Sequence, residues 1–269
     1  MKSPKKSSCW TYNKKEIRSS MNPSLFLEQN SLSPANHPHK FGLTKAILHV
    51  MNEPEVHHHL SPADLSPQAT YKLMTGIVVP RPIAWITTVS REGVVNLAPF
   101  SCYTIVSTKP AMIGVNIGRK AGLRKDTAVN IADSQAFVVN IADQALLEPL
   151  HLSADEHPPD VSEVELLGLA TQPSENIAPP RLAAAPVSLE CRLHTVIPFG
   201  DTGAEFFVGE IVRLHIRENL LKLGKIDSAE LDPICRLAGP NYATLGQVIT
   251  MQPVKQTDKA ILQGEAPRK

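Results

Sequence analysis

The sequence is short of several things that would point directly to a function. Only four of its 269 residues are cysteine: Cys9, Cys102, Cys191 and Cys235. None is in CxxC spacing, so neither a structural zinc site nor a dithiol redox pair is indicated. They read as isolated thiols of a reducing compartment, with Cys102 and Cys191 as small core residues on strand patterns. The motifs GxGxxG, GxxxxGK[ST], GxSxG and HExxH are all missing. Their absence disfavours a parallel dinucleotide-binding sheet, a P-loop enzyme and the common zinc proteases. No apolar run approaches the ~20 residues of a membrane span. Ser7–Asn22, where a secretory signal would need its apolar core, is polar. A cytoplasmic protein with no membrane partner is expected. Net charge is also nearly missing, at +1, so the chain as a whole advertises no nucleic-acid partner.

What charge there is lies unevenly. Residues 1–50 hold eight Lys/Arg against Glu16 and Glu28, a balance of +6, which leaves 19 basic and 24 acidic residues, or −5, for the rest. This basic segment is rich in Ser, Asn and Pro and lacks sustained periodicity, so it is read as a disordered extension. It is a basic tail, a targeting segment, or upstream sequence ahead of a start at Met51. The last is preferred, since a mitochondrial signal would carry more than Arg18. Residues 51–250 form the expected domain, and 251–269 a polar tail.

Within the domain, Ser66 and Pro67 make a helix start, with Gln68–Met74 helical and Gly76 as the stop. Residues 80–107, PRPIAWITTVSREGVVNLAPFSCYTIVS, read as a β-hairpin. Ile83–Ser90 is apolar and β-branched, Arg91-Glu92-Gly93 is the turn, and Val94–Val106 is the return. Pro99 lies inside the return strand. Proline gives no N–H to a ladder, so Pro99 marks an edge or a bulge, either a plain barrel corner or a place where backbone groups are offered to a ligand.

Gly118–Thr127, GRKAGLRKDT, carries four cations and two glycines immediately before a helical stretch, with Asp126 as its expected N-cap. Backbone N–H groups, helix dipole and cations together make a phosphate site, the alternative being a solvated basic loop. Ala136–Ile141 is a strand and Asp143–Leu150 helical. Ser162–Glu165 is a capping box opening a short helix. Val187–Leu193 alternates as a half-buried strand and Phe206–Ile216 returns beside it, with His194 and His215 on the polar faces and therefore exposed. Two clusters resemble metal or catalytic sites, His57-His58-His59 and Asp155-Glu156-His157. Consecutive histidines point in different directions and the second group has no partner cluster, so both are read as solvated surface.

In their order, Val79-Pro80-Arg81-Pro82-Ile83-Ala84-Trp85, Asn96-Leu97-Ala98-Pro99-Phe100-Ser101, Lys125-Asp126-Thr127 with Asn130-Ile131, and Phe137-Val138-Val139-Asn140 resemble the flavin reductase-like (flavoredoxin-type) family. Gly168-Leu169, Ala178-Pro179-Pro180-Arg181, Ser188–Cys191 and Gly209–Val212 extend the match, which covers Leu60 to Tyr242. The resemblance implies a mainly β fold, a six-stranded antiparallel split β-barrel of the FMN-binding type. It also implies a homodimer. Carried over by position, Asn96, Ala98, Pro99, Phe100 and Ser101 would line the flavin, with main-chain groups near Pro99 at the ring's polar edge. Arg124, Lys125, Asp126 and Thr127 would hold the phosphate, and Trp85 and Tyr242 would lie near the ring. The activity implied is an NAD(P)H-dependent flavin reductase, with NAD(P)H as co-substrate and a flavin-dependent monooxygenase or another electron acceptor as partner. Two alternatives stand beside it. One is an FMN-binding electron carrier without its own NAD(P)H activity. The other is a barrel that has exchanged flavin for a ligand such as haem, against which the retained Lys125-Asp126-Thr127 argues. Hydride transfer requires no acid–base residue, so no catalytic side chain and no metal ligand is expected.

Overall fold

The structure is a computed structural model and describes residues 56–252. The expectations for 1–55 and 253–269 lie outside the described residues. His57–His59 are described and exposed, without regular structure.

The elements that build the fold are helix α1 (Pro67–Ile77), strands β1 (Ala84–Val89), β2 (Val95–Phe100), β3 (Tyr103–Thr108) and β4 (Ala111–Ile117), helix α2 (Asp126–Ser134), strand β5 (Ala136–Ile141), helices α3 (Leu147–Leu152) and α4 (Glu163–Leu166), and the long strands β6 (Val187–Phe199) and β7 (Ala204–Ile216). The seven strands pair antiparallel in the spatial order β2-β1-β5-β6-β7-β4-β3. The two edge strands, β2 and β3, are consecutive in the chain and separated only by Ser101 and Cys102. Two residues cannot bridge the width of a flat seven-stranded sheet, so the sheet curls until its ends meet. Asn116 N–H closes the corner by donating to Cys102 O at 2.8 Å.

The sheet has seven strands where six were expected. The difference lies in the expected hairpin, whose return run breaks at Ser101–Cys102 into β2 and β3. Of the two readings of Pro99, edge or bulge, the structure takes the edge: β1 and β2 keep an unbroken register from Ala84↔Phe100 to Val89↔Val95, with Pro99 opposite Trp85 on an edge strand. On this edge the outward positions alternate Val95, Leu97, Pro99. Ser162 Oγ donates to Val95 O at 2.7 Å and the Glu163 carboxylate accepts from Leu97 N–H at 2.8 Å. At the third position proline has no N–H left to satisfy.

Side-chain alternation sorts the strands into two cores. Ala84 and Ile86, Ile113, Val115 and Ile117, and Phe137 and Val139 point into the barrel, where α2 adds Ala128 and Ile131. Their neighbours Trp85 and Leu97 point outward, under a second cluster with Leu146, Leu150 and Val164 from the α3–α4 region. β1 is thus buried on both faces, which explains its continuous rather than alternating apolar run. Gly209 is required by packing: a Cβ there would come within 2.5 Å of the Phe137 ring.

Other expectations shift in detail. α1 runs through Gly76 to Ile77, with Ser66 Oγ capping Ala69 N–H as anticipated. Cys102 is exposed rather than a core residue, whereas Cys191 is buried. The polar face of β6 is solvated only in part: Arg192 and His194 are exposed, as expected for His194, but Ser188 and Glu190 are buried. Glu190 is fully buried there, covered by the connection after α4, and accepts from the backbone amides of Glu175 and Asn176, both at 2.8 Å. His215 is drawn in as well, with Nε2 at 2.6 Å from Glu190 Oε1. Burial alone would raise the Glu190 carboxyl, but these donors outweigh it and hold it below the usual carboxylate range. A depressed carboxylate contributes stability above its unfolded pKa, about 4.3, and that stability is lost as pH falls through the folded value. In thermal melts, wild type should exceed Glu190→Gln by about 1–3 kcal/mol at neutral pH, and the gap should narrow below about pH 4. A gap constant down to pH 3 would contradict this account.

Candidate functional site

A cleft of about 330 Å³ opens where β2, the loop before α2, and the segment after α3 converge. β2 contributes Asn96, Ala98 and Pro99, and the basic loop contributes Arg124, Lys125, Asp126 and Thr127. The two stretches singled out in the sequence therefore share one cavity. The helix begins one residue earlier than expected: Lys125 is the N-cap and Asp126 the first helical residue. No side chain caps this end, and the first intrahelical bonds are donated by Ala128 and Val129 to Lys125 O. The N–H groups of Asp126 and Thr127 thus remain available, as the first amides of a helix must. Thr127 is 1% exposed and its Oγ1 accepts from Asn96 Nδ2 at 2.9 Å. The same amide reaches Thr88 Oγ1 at 3.3 Å, which also accepts from Asn130 Nδ2 at 3.1 Å. This polar network fixes the helix start against the edge strand.

The cations divide by role. Arg124 is committed to Glu205 in a two-pronged pair, Nε–Oε2 2.9 Å and Nη2–Oε1 2.5 Å. Its guanidinium hydrogen bond holds the Glu205 carboxyl below its ordinary range, and the carboxylate raises Arg124 in return. Lys120 is paired with Glu156 across the cleft. Lys125 has no carboxylate within 4.0 Å among the described residues, and its ammonium lies 5.5 Å over the Phe100 ring. Desolvation, and then the charge of Lys120, lower its pKa. Lys125 and the two free amides are the groups of this cleft with charge or donors to spare for an anion.

The remaining expected site residues lie elsewhere. Trp85 is fully buried beneath the cleft, donating from Nε1 to Ser153 Oγ at 2.8 Å. Phe100 is in the barrel core under Lys125. Ser101 and Tyr242 line a second cleft of about 370 Å³, which meets the first at Pro99 and Ala154. In the other direction, Ser153–His157 and Glu163 form a wall of the first cleft. Asp155-Glu156-His157 is exposed, as read, yet borders the site. Nothing in its sequence marks it for this, because the contact is made through Trp85–Ser153 and Leu97–Glu163, pairs more than 60 residues apart. Among the described residues no group of His, Cys, Asp and Glu is placed to hold a metal, and no helix is long and apolar enough to cross a membrane.

A curled antiparallel sheet with a cleft between its edge strand and an uncapped helix start defines a class of flavin-associated barrels. The chain belongs to that class: residues 75–228 match the flavin reductase-like domain. A protein of Halalkalibacterium halodurans with no described function is 41% identical over 197 residues, 71% of this chain and 94% of that one. The crystal structure of nitrilotriacetate monooxygenase component B from Bacillus cereus is 38% identical, covers 74% of this chain and 100% of its own, and superposes with a TM-score of 0.72. A Shewanella frigidimarina structure with a split barrel domain matches at 21% identity, covering 74% of this chain and 100% of its own, with a TM-score of 0.65, and speaks for the fold alone. The architecture is the split barrel, with the seven strands described above.

Proposed function

We propose that this chain is an FMN-binding oxidoreductase, an NAD(P)H-dependent flavin reductase. The observation that carries the reading is the meeting of Asn96, Ala98 and Pro99 with Lys125, Asp126 and Thr127 in one cleft. A phosphate fits the residues present, because an uncapped helix start, an uncompensated ammonium and a buried hydroxyl converge there. Lys125 and the amides of Asp126 and Thr127 would hold the phosphate, and the backbone from Asn96 to Ser101 would run along the flavin. Arg124 acts by anchoring the loop to Glu205, a positioning role rather than the direct contact first expected. FMN, when bound, supplies the hydride acceptor. The chain's own part is to bind and orient it, and the buried Trp85 and Leu97 hold the cleft-lining Ser153 and Glu163 in place.

The likeness to a monooxygenase component supports an oxygenase as the recipient of reduced flavin. A homodimer is part of the proposal. α1 has no buried residue although it presents Tyr71, Met74 and Ile77, and a second copy would cover that face. Light scattering at twice the 29.3 kDa chain mass would bear this out, and a monomer would refute it. The activity is tested by steady-state NADH and NADPH oxidation with added FMN. Turnover with either is expected. A protein that binds FMN but turns over neither nicotinamide would be the electron carrier instead.

A further inference from the structure

The second cleft contains an unbalanced pair of charges. Arg81 and Arg236 are directly opposite each other in a short antiparallel bridge, an arrangement that costs stability for like charges. Neither guanidinium has a carboxylate within 4.0 Å among the described residues, and no acidic residue lines the cleft. Arg81, 7% exposed, is spent on the fold: Nη1 donates to Thr75 O and Val78 O at 2.6 and 2.7 Å, and Nη2 to Leu237 O at 3.0 Å. Those carbonyls end α1 and hold the C-terminal strand pair. Arg236 is not spent. It stacks on the Tyr242 ring at 4.6 Å and Nη1 donates to the Tyr242 hydroxyl. Among the described residues its Nε and Nη2 make no hydrogen bond. Tyr242 is itself held by His151 Nδ1, 2.9 Å from its hydroxyl, so the stacked pair is fixed in place.

A cavity with excess positive charge, one guanidinium edge open and walls of Ile83, Pro99, Leu150 and two tyrosines takes a planar ligand bearing an oxyanion. We propose that this cleft is a second-substrate site for an aromatic carboxylate, with Arg236 as its anion-binding residue. The proposal deepens the flavin reading, because the cleft meets the flavin cleft at Pro99 and a molecule held there lies beside it. The aromatic ring would pack against Tyr242 and the apolar wall while the carboxylate meets Nε and Nη2.

Calorimetric titration of benzoate into the full chain, with and without saturating FMN, tests this. One benzoate per chain is expected. Its affinity should fall at least about tenfold in Arg236→Gln, the loss of a charge-assisted contact, while FMN affinity is unchanged. Benzyl alcohol, the uncharged analogue, and inorganic phosphate should both bind far more weakly than benzoate. Absence of benzoate binding, equal binding by Arg236→Gln, displacement of FMN by benzoate, or phosphate binding as tightly as benzoate would each overturn the site. If Arg236→Gln does not fold, the comparison of benzoate with benzyl alcohol on the wild-type chain decides alone. If benzoate binds as expected but FMN does not, the anion site stands and the flavin reading falls.

Discussion

Lys125→Ala should weaken FMN binding by roughly ten- to a hundredfold and leave riboflavin binding nearly unchanged. A charge-assisted phosphate contact contributes about 1.5–3 kcal/mol, and riboflavin has no phosphate to lose. Lys125 is the right residue because the other cations are occupied. Arg124 is held by Glu205 and Lys120 faces Glu156, whereas Lys125 has only the Phe100 ring beneath it. Arg124→Ala should also weaken FMN, but through the loop. It breaks the Glu205 pair, so part of its loss should appear with riboflavin and part as a lower melting temperature. Quenching of flavin fluorescence measures all four affinities. Equal losses of FMN and riboflavin in Lys125→Ala would place the phosphate elsewhere.

Trp85→Ala should be the most damaging single change to stability, by about 3–5 kcal/mol. At roughly 2–4 °C per kcal/mol for a domain of this size, melting should fall by about 6–20 °C. The side chain is fully buried between the sheet and α3, and its indole N–H is satisfied by Ser153. Trp85→Phe should cost far less in packing, yet it would leave Ser153 without this donor and loosen the segment that walls the cleft. A melting temperature unmoved by Trp85→Ala would show that the outer cluster does not support the barrel.

Both predictions concern residues that the sequence singled out, and for one of them the structure gives a different job. Trp85 stands in a recognisable motif, but strand alternation sends it to the face opposite the barrel interior, and a continuous apolar run does not reveal which face each residue takes. The helix-start half of the cleft was legible because its elements are local: a basic glycine-bearing loop and a helix start are neighbours in sequence. The wall from Ser153 to His157 was not, since its place depends on contacts made across more than 60 residues. The buried Glu190 and the half-buried His215 escaped for a related reason. Their strands alternate cleanly, and only the overlying connection turns a polar face into an interior. Strand breaks were equally hidden: Ser101-Cys102 is an ordinary dipeptide, yet it separates the two ends of the sheet.

The edge at Val95–Pro99 has a consequence for assembly. Two of its outward groups, Val95 O and Leu97 N–H, are taken by Ser162 and Glu163, and Pro99 has no donor to offer, so this border is a poor template for a foreign β-strand. Among the described residues the strand Tyr103–Thr108 at the other end has no such guard, and Ile105 is 74% exposed on it. Any accretion of chains by strand addition is therefore one-sided. Because growth of that kind needs two adhesive borders per molecule, this asymmetry favours pairing along the open border over propagation of a fibre through the sheet.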